Sequence, residues 1–259
     1  MSATVLLVID VQNDFCDPEG ALFVPGAVED AMRLRDFIRR KGTALDAIFL
    51  SQDTHLIHDI SHPYAWQDAE GTPPPPFTPI ARRDLDAGRW RPRFAEEVMA
   101  RYLEALEAQN KFEHLIWPEH CLQGSWGHAF YPPLMEAVLE WSHATGRDYT
   151  VVMKGLSPLT EHFGIFEAQI PDAALPETQR NEQLLDALDA YTHIYVAGQA
   201  RSHCVATSVQ QLMDYAPQLN ERLVILSDTM SDVPGLGHLG DPIYARARAA
   251  GIRFEQVVS

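Results

Sequence analysis

The stretch Thr4-Val-Leu-Leu-Val-Ile9-Asp10 is six apolar or β-branched residues ending on an acid, the pattern of a short strand buried on both faces. Two later stretches repeat the design. Val151-Val-Met153 runs into Lys154, and His193-Ile-Tyr-Val-Ala197 runs into a turn that leads to Cys204. In a parallel α/β sheet the carboxyl ends of neighbouring strands share one edge, so residues remote in sequence meet there. An acid, an amine and a thiol at that edge would make an activated cysteine nucleophile.

Between these strands the sequence alternates. Val28 to Lys41 carries Ala31, Leu34, Phe37 and Ile38 at helical spacing and stops at Gly42, which suits a helix C-terminus. Ala47 to Leu50 reads as a second strand. Helices are expected over Pro132 to His143, Asn181 to Ala190 and Cys204 to Tyr215, and strands over Tyr149 to Met153 and Leu223 to Leu226. This rhythm predicts an α/β fold, a three-layer αβα arrangement around a mostly parallel, doubly wound sheet. It breaks at about residues 63–111, where the proline run Pro73 to Pro76 precedes a charged helical stretch at Phe94 to Ala108. That segment reads as an insertion on a single domain spanning residues 1–259, with the prolines extended.

Composition narrows the function classes. With 46% hydrophobic residues in a chain of 259, core material is ample. The formal charge of -16 argues against nucleic acid and anionic membrane as partners, because no Lys/Arg-rich block offsets the acid. No apolar run reaches the ~18 residues a membrane span needs, and no secretory leader pattern precedes Thr4. Three scattered cysteines, Cys16, Cys121 and Cys204, fit a reducing, cytoplasmic setting better than a disulfide framework.

The chemistry-bearing residues are individually ambiguous. Cys204 lies where a strand turns into a helix, and a helix amino terminus favours the thiolate. Lys154 is one of only three lysines and directly follows a buried-type strand, where an ammonium needs a partner. The stretch Ser51-Gln-Asp53-Thr-His55-Leu-Ile-His58-Asp59-Ile-Ser-His62 packs three histidines with acids just after strand two, a donor density that suits Zn, Fe(II) or Mn.

Taken together, Asp10-Val-Gln-Asn-Asp-Phe15, Lys154-Gly155, Gly198-Gln-Ala-Arg-Ser-His-Cys204-Val205 and Trp117-Pro-Glu-His120-Cys121 resemble the motifs of the isochorismatase-like cysteine hydrolase superfamily, and of its nicotinamidase branch. The resemblance covers about residues 4–62 and 112–235. It implies Asp10, Lys154 and Cys204 as catalytic residues, and an oxyanion hole from the amides of Ala200 and Cys204 behind a cis Gln199-Ala200 peptide. It further implies a divalent metal (Zn, Fe or Mn) on Asp53, His55 and His120, and aromatic walls from Phe15, Trp117 and, two residues out of register, Phe163. Many relatives carry a histidine four residues after the one matching His55. Here that position is Asp59, with His58 before it and His62 nearby, so the remaining approach to the metal stays open.

The expected activity is hydrolysis of nicotinamide to nicotinate and ammonia through a thioester, with a small-molecule amide as the partner of the site. Another small-amide or N-carbamoyl hydrolase, or a catalytically silent binding homologue, is the alternative. Relatives of this kind are often homo-oligomers, and the same is expected of this chain.

Overall fold

The computed structural model describes residues 3–258. Six strands form one sheet: β1 (Thr4–Ile9), β2 (Ala47–Asp53), β3 (Thr150–Lys154), β4 (His193–Gly198), β5 (Leu223–Leu226) and β6 (Arg253–Glu255). Their spatial order is β3-β2-β1-β4-β5-β6, and every neighbouring pair is parallel. This is the doubly wound order, in which the winding reverses between β1 and β4. Ligand sites of such sheets form outside the carboxyl ends of the strands at that reversal.

Successive side chains of a strand point to opposite faces, so one run of apolar residues feeds two cores. Leu6 and Val8 of β1, Ile48 and Leu50 of β2, and Tyr195 and Ala197 of β4 face helix α1 (Ala27–Lys41) together with a helix at Pro132–Thr145. Val5, Leu7, Ile9, Phe49, Ile194 and Val196 face the opposite way. There they meet helices at Glu182–Asp189, Ala206–Tyr215 and Asp241–Ala249. The central strands are hydrophobic on both faces because both faces are covered. Gly198 closes β4 at φ 123°, and a Cβ there would lie 2.0 Å from the Ile9 carbonyl oxygen, so the chain passes β1 closely only because this residue is glycine.

Four details differ from the sequence reading. The strand before Lys154 is the sheet's edge, with Val151 and Met153 41% and 42% exposed, so its apolar residues do not mark burial on both faces. The helix expected from Cys204 begins at Ala206, after a wide π turn over Arg201–Val205. Strand β2 runs three residues further, to Asp53. The helix Asp241–Ala249 and strand β6 add a last α/β unit that the sequence pattern did not suggest, because Arg253–Glu255 is only three residues long with exposed charged ends.

Residues within the expected insertion build a third apolar cluster around Trp66, Ile80, Met99, Tyr102, Leu103 and Leu106, joined by Ile60 and Ile116 from its flanks. A two-residue antiparallel pairing, Trp66–Gln67 with Arg91–Pro92, and the helix Glu96–Ala108 frame it. The Trp66 indole N–H donates to the Ile60 carbonyl at 2.7 Å, tying the cluster to the segment that follows β2. Residues 72–75 carry no regular helix or strand, in keeping with the proline run. No helix among the described residues is long and apolar enough to cross a membrane.

Candidate active site

Four strand ends meet at the winding reversal. Asp10 follows β1 directly, Asp53 ends β2, Lys154 ends β3, and Cys204 sits in the π turn after β4. All four side chains are buried, Asp10 completely. The Lys154 ammonium lies 2.7 Å from Asp53 Oδ1, 3.0 Å from Asp10 Oδ2, 2.8 Å from the His162 carbonyl oxygen and 3.7 Å from Cys204 Sγ. Buried Lys154 would be driven to lose its proton, but Asp10 and Asp53 outweigh that and hold it well above the usual lysine range. One cation therefore neutralises two carboxylates and touches the thiol.

The two carboxyls are not equivalent. Burial raises Asp10 despite Lys154, whereas Lys154 and His55 overcome burial at Asp53 and hold it well below the ordinary carboxylate range. Ser51 fixes Asp10 by donating its hydroxyl to Oδ1 at 2.6 Å and accepting the Asp10 N–H at 3.1 Å. Oδ2 faces Lys154 and makes no well-aligned hydrogen bond of its own. Asp10 thus combines a raised affinity for protons with an oxygen turned to the ammonium that touches Cys204.

Burial also pushes the Cys204 thiol well up, Lys154 opposes it, and Asp10 and Asp53 add to the rise. The helix terminus and the ammonium do not leave a standing thiolate, contrary to the expectation from position alone. The resting group is a thiol, and its proton has to leave during reaction. The peptide Gln199-Ala200 is cis, as the family resemblance implies.

Asp53 links this set to a second one. Its Oδ2 lies 3.1 Å from His55 Nε2 and 3.6 Å from His120 Nε2, and one donor atom from each of the three residues falls within 4.8 Å of the others. Both imidazoles are anchored through Nδ1, His55 on Asp59 Oδ2 at 2.8 Å and His120 on the Pro118 carbonyl at 2.8 Å. Histidines that bind metals use the same arrangement, in which an oxygen partner on one ring nitrogen orients the other. A carboxylate and two oriented Nε2 atoms fit a divalent cation. Asp53 and Asp59 overcome the burial of His55 and hold it well above its ordinary value.

The residues left open by the sequence separate clearly. Asp59 lies behind His55, with Oδ1 accepting the N–H and hydroxyl of Ser61. His58 is exposed against Tyr64 and Phe94. Buried His62 packs tilted against His55 and edge-on against His120, with Nδ1 on the Leu56 carbonyl, and burial drops it to about 3.

A small pocket at Cys204 is lined by Phe15, Leu22, Trp117, Phe163, His203 and Val233, together with Asp53, His120, Glu161 and Ala200. All three aromatic candidates line it. His203 and Glu161 were not singled out by the sequence, and His203 had a signal only in retrospect, since it precedes the nucleophile. Its ring packs on Trp117 at 5.2 Å and Phe163 at 5.3 Å, and burial lowers it to about 4, so it is a neutral aromatic surface.

Similarity to known proteins agrees with this layout. No family model matches the chain. It is 26% identical over 223 residues to a nicotinamidase of Escherichia coli, covering 85% of this chain and 81% of that one. It is 24% identical over 224 residues to a nicotinamidase of Saccharomyces cerevisiae, covering 86% and 85%. The yeast nicotinamidase bound to the inhibitor nicotinaldehyde superposes with a TM-score of 0.67 at 18% identity over 98% of this chain and 99% of that one. These relatives support the isochorismatase-like, nicotinamidase branch that the sequence motifs resemble. A pyrazinamidase of Pyrococcus horikoshii in complex with zinc shares the fold at a TM-score of 0.58 and 17% identity, over 98% of each chain.

Within this hydrolase the Gln12-Asn13-Asp14 motif after Asp10 has a structural purpose. The Gln12 amide accepts the Asp53 N–H and donates to the Asp53 carbonyl, both at 2.8 Å, so the first loop fixes the end of β2. Asp14 accepts the Cys121 N–H at 2.6 Å, which holds the segment carrying His120.

Proposed function

We propose that this protein is a metal-containing cysteine amidohydrolase that converts nicotinamide to nicotinate and ammonia. One observation carries the reading: Asp53 gives one oxygen to Lys154 beside Cys204 and turns the other to His55 and His120. A nucleophile and a cation site thus share one carboxylate that lines an aromatic pocket. The relatives named nicotinamidase support the same substrate class.

Asp10 removes the Cys204 thiol proton as sulfur attacks the carboxamide carbon, the step that the high thiol affinity for its proton demands. Lys154 keeps its proton throughout and balances the negative charge passing between Asp10 and sulfur. The amides of Ala200 and Cys204 are the donors assigned to the tetrahedral oxyanion. Asp10 hands its proton to the departing nitrogen, which leaves as ammonia, and a thioester remains. Asp10 then takes a proton from water as it attacks the thioester; the acid departs and the proton returns to sulfur. A divalent cation held by Asp53, His55 and His120 would supply a Lewis-acid contact for a ring nitrogen of the substrate.

Phe15, Trp117 and Phe163 present apolar ring surface to a flat heteroaromatic amide, with stacking worth roughly 0.5–1.5 kcal/mol beyond area burial. We read the chain as one domain whose insertion serves the site, because Phe77 packs on Trp117 at 5.9 Å and Phe112, just beyond the insertion, packs on Phe163 at 5.8 Å. Ammonia release measured against nicotinamide, pyrazinamide, an N-carbamoyl amine and maleamate tests the reading. Turnover is expected for the two ring carboxamides; turnover of the acyclic compounds alone would overturn it.

A further inference from the structure

A second cleft lies near the pocket at Cys204 and shares none of its lining residues. It holds about 190 Å³ between the residues that follow the helix Glu96–Ala108, the loop at Gln169 and the helix Ala206–Tyr215. Five of the residues lining it are Gln or Asn, and Phe112 and Tyr215 add ring surface. Two polar side chains here are nearly buried yet unpaired. Gln169 is 5% exposed, and its side-chain amide makes no hydrogen bond within the protein, although its backbone N–H donates to the Glu161 carbonyl. Thr207 is 7% exposed, and its hydroxyl is buried without a partner. A helical threonine or serine can return its hydroxyl to the carbonyl four residues back, as Ser208 does to Cys204 at 2.7 Å. Thr207 does not.

Leaving such groups unpaired costs free energy, so a ligand that pairs them gains by doing so. An amide and a hydroxyl each donate and accept, and the group that answers both is another hydroxyl. Gln211 is already fixed in place, with Oε1 accepting the Phe166 N–H at 3.1 Å and Nε2 donating to the Glu167 carbonyl at 2.8 Å, and each end keeps hydrogen-bonding capacity to spare. The charges around the cleft do not call for an ion. Asp214 is paired with Arg246, and the formal charge of -16 on the chain opposes an anion beside Lys111. The volume falls below the roughly 300–1,000 Å³ of pockets for drug-sized ligands, which limits the occupant to about one sugar ring. We propose that this cleft binds a neutral polyhydroxylated molecule of monosaccharide size, with its hydroxyls on Gln169, Thr207 and Gln211 and its C–H face toward Phe112. The site is separate from the amide chemistry and does not rest on that reading. Phe112 packs on Phe163 at 5.8 Å and on His203 at 5.5 Å, so the two cavities adjoin through one ring.

Saturation-transfer NMR titrations of the full chain with glucose, galactose, mannose, ribose, glycerol and inorganic phosphate test the assignment. At least one of the four sugars should bind more tightly than ~10 mM and exceed glycerol and phosphate. Gln169→Leu and Thr207→Val should each weaken that sugar about tenfold, whereas Phe15→Ala, in the pocket at Cys204, should leave it unchanged. If neither cleft variant folds, part-exposed Gln210→Ala supplies the comparison and should weaken the sugar in the same direction. The assignment fails if no sugar binds more tightly than ~10 mM, if phosphate binds at least as tightly as every sugar, or if binding survives the cleft substitutions and is lost in Phe15→Ala.

Discussion

Replacing Lys154 by Met tests the electrostatic core of the site through stability as well as rate. The side chain is 1% exposed and separates Asp10, 0% exposed, from Asp53, 5% exposed. Methionine fills similar space but leaves two buried carboxylates facing each other without a cation. Removing one partner of a buried ion pair costs about 3–5 kcal/mol. For a chain of this size each kcal/mol lowers the melting temperature by roughly 2–4 °C, so the drop should be about 6–20 °C. The pH dependence gives a sharper check. In the wild type, Asp53 is held below its unfolded value, so its contribution is present above that value and is lost as pH falls through the folded one. In Lys154→Met both carboxyls rise, their ionised forms oppose folding near neutrality, and protonation relieves the strain in acid. Thermal melts of both proteins in chelator from pH 4 to 8 should therefore show the gap widest near neutrality and narrowing toward acid. A drop below about 2 °C, or a gap that does not change with pH, would refute the shared-cation argument. Amide hydrolysis should be lost in the variant at every pH.

Other substitutions separate the parts of the site. Asp59→Asn should weaken metal binding about 10–100-fold in chelator competition while leaving the fold intact, because it removes the carboxylate that orients His55; unchanged affinity would show that Asp59 has no such part. Ser51→Ala removes a donor that lowers Asp10, so the acid limb of kcat/KM should move to higher pH. A limb that stays in place or moves to lower pH would separate it from Asp10. Cys204→Ala should abolish ammonia release but retain ligand binding by calorimetry, and residual hydrolysis at wild-type rates would rule out the thioester. Elemental analysis of purified protein should find about one divalent ion per chain, Zn, Fe or Mn, and His120→Ala should lose it.

Much of this was legible in the chain because a parallel sheet converts a local signal into a long-range one. An apolar run ending on Asp10, and another ending near Cys204, locate a sheet edge without any knowledge of their contacts. The same logic misjudged the strand before Lys154. Val151-Val-Met153 has the composition of a central strand, yet it is the edge, and Lys154 is buried by the loop that brings up the His162 carbonyl. Composition reports what a strand tolerates, whereas its place in the sheet depends on what pairs with it.

Glu161 and His203 escaped for a different reason. Neither stands at a strand end or in a spaced metal pattern, and each matters through neighbours supplied by remote segments. Phe112 and Trp117, at and just beyond the end of the insertion, surround His203, and Tyr102 of the insertion fixes the backbone of Glu161. The insertion itself looked like an interruption of the α/β rhythm, with too few strands for a domain. Its apolar residues nonetheless have a cluster of their own around Trp66, and Tyr102 of that cluster accepts the backbone N–H of Glu161, which lines the pocket. A catalytic set held on strand ends is encoded by the scaffold's own periodicity. Part of the pocket wall, by contrast, comes from segments that lack periodicity, so these are the residues that the sequence announces least.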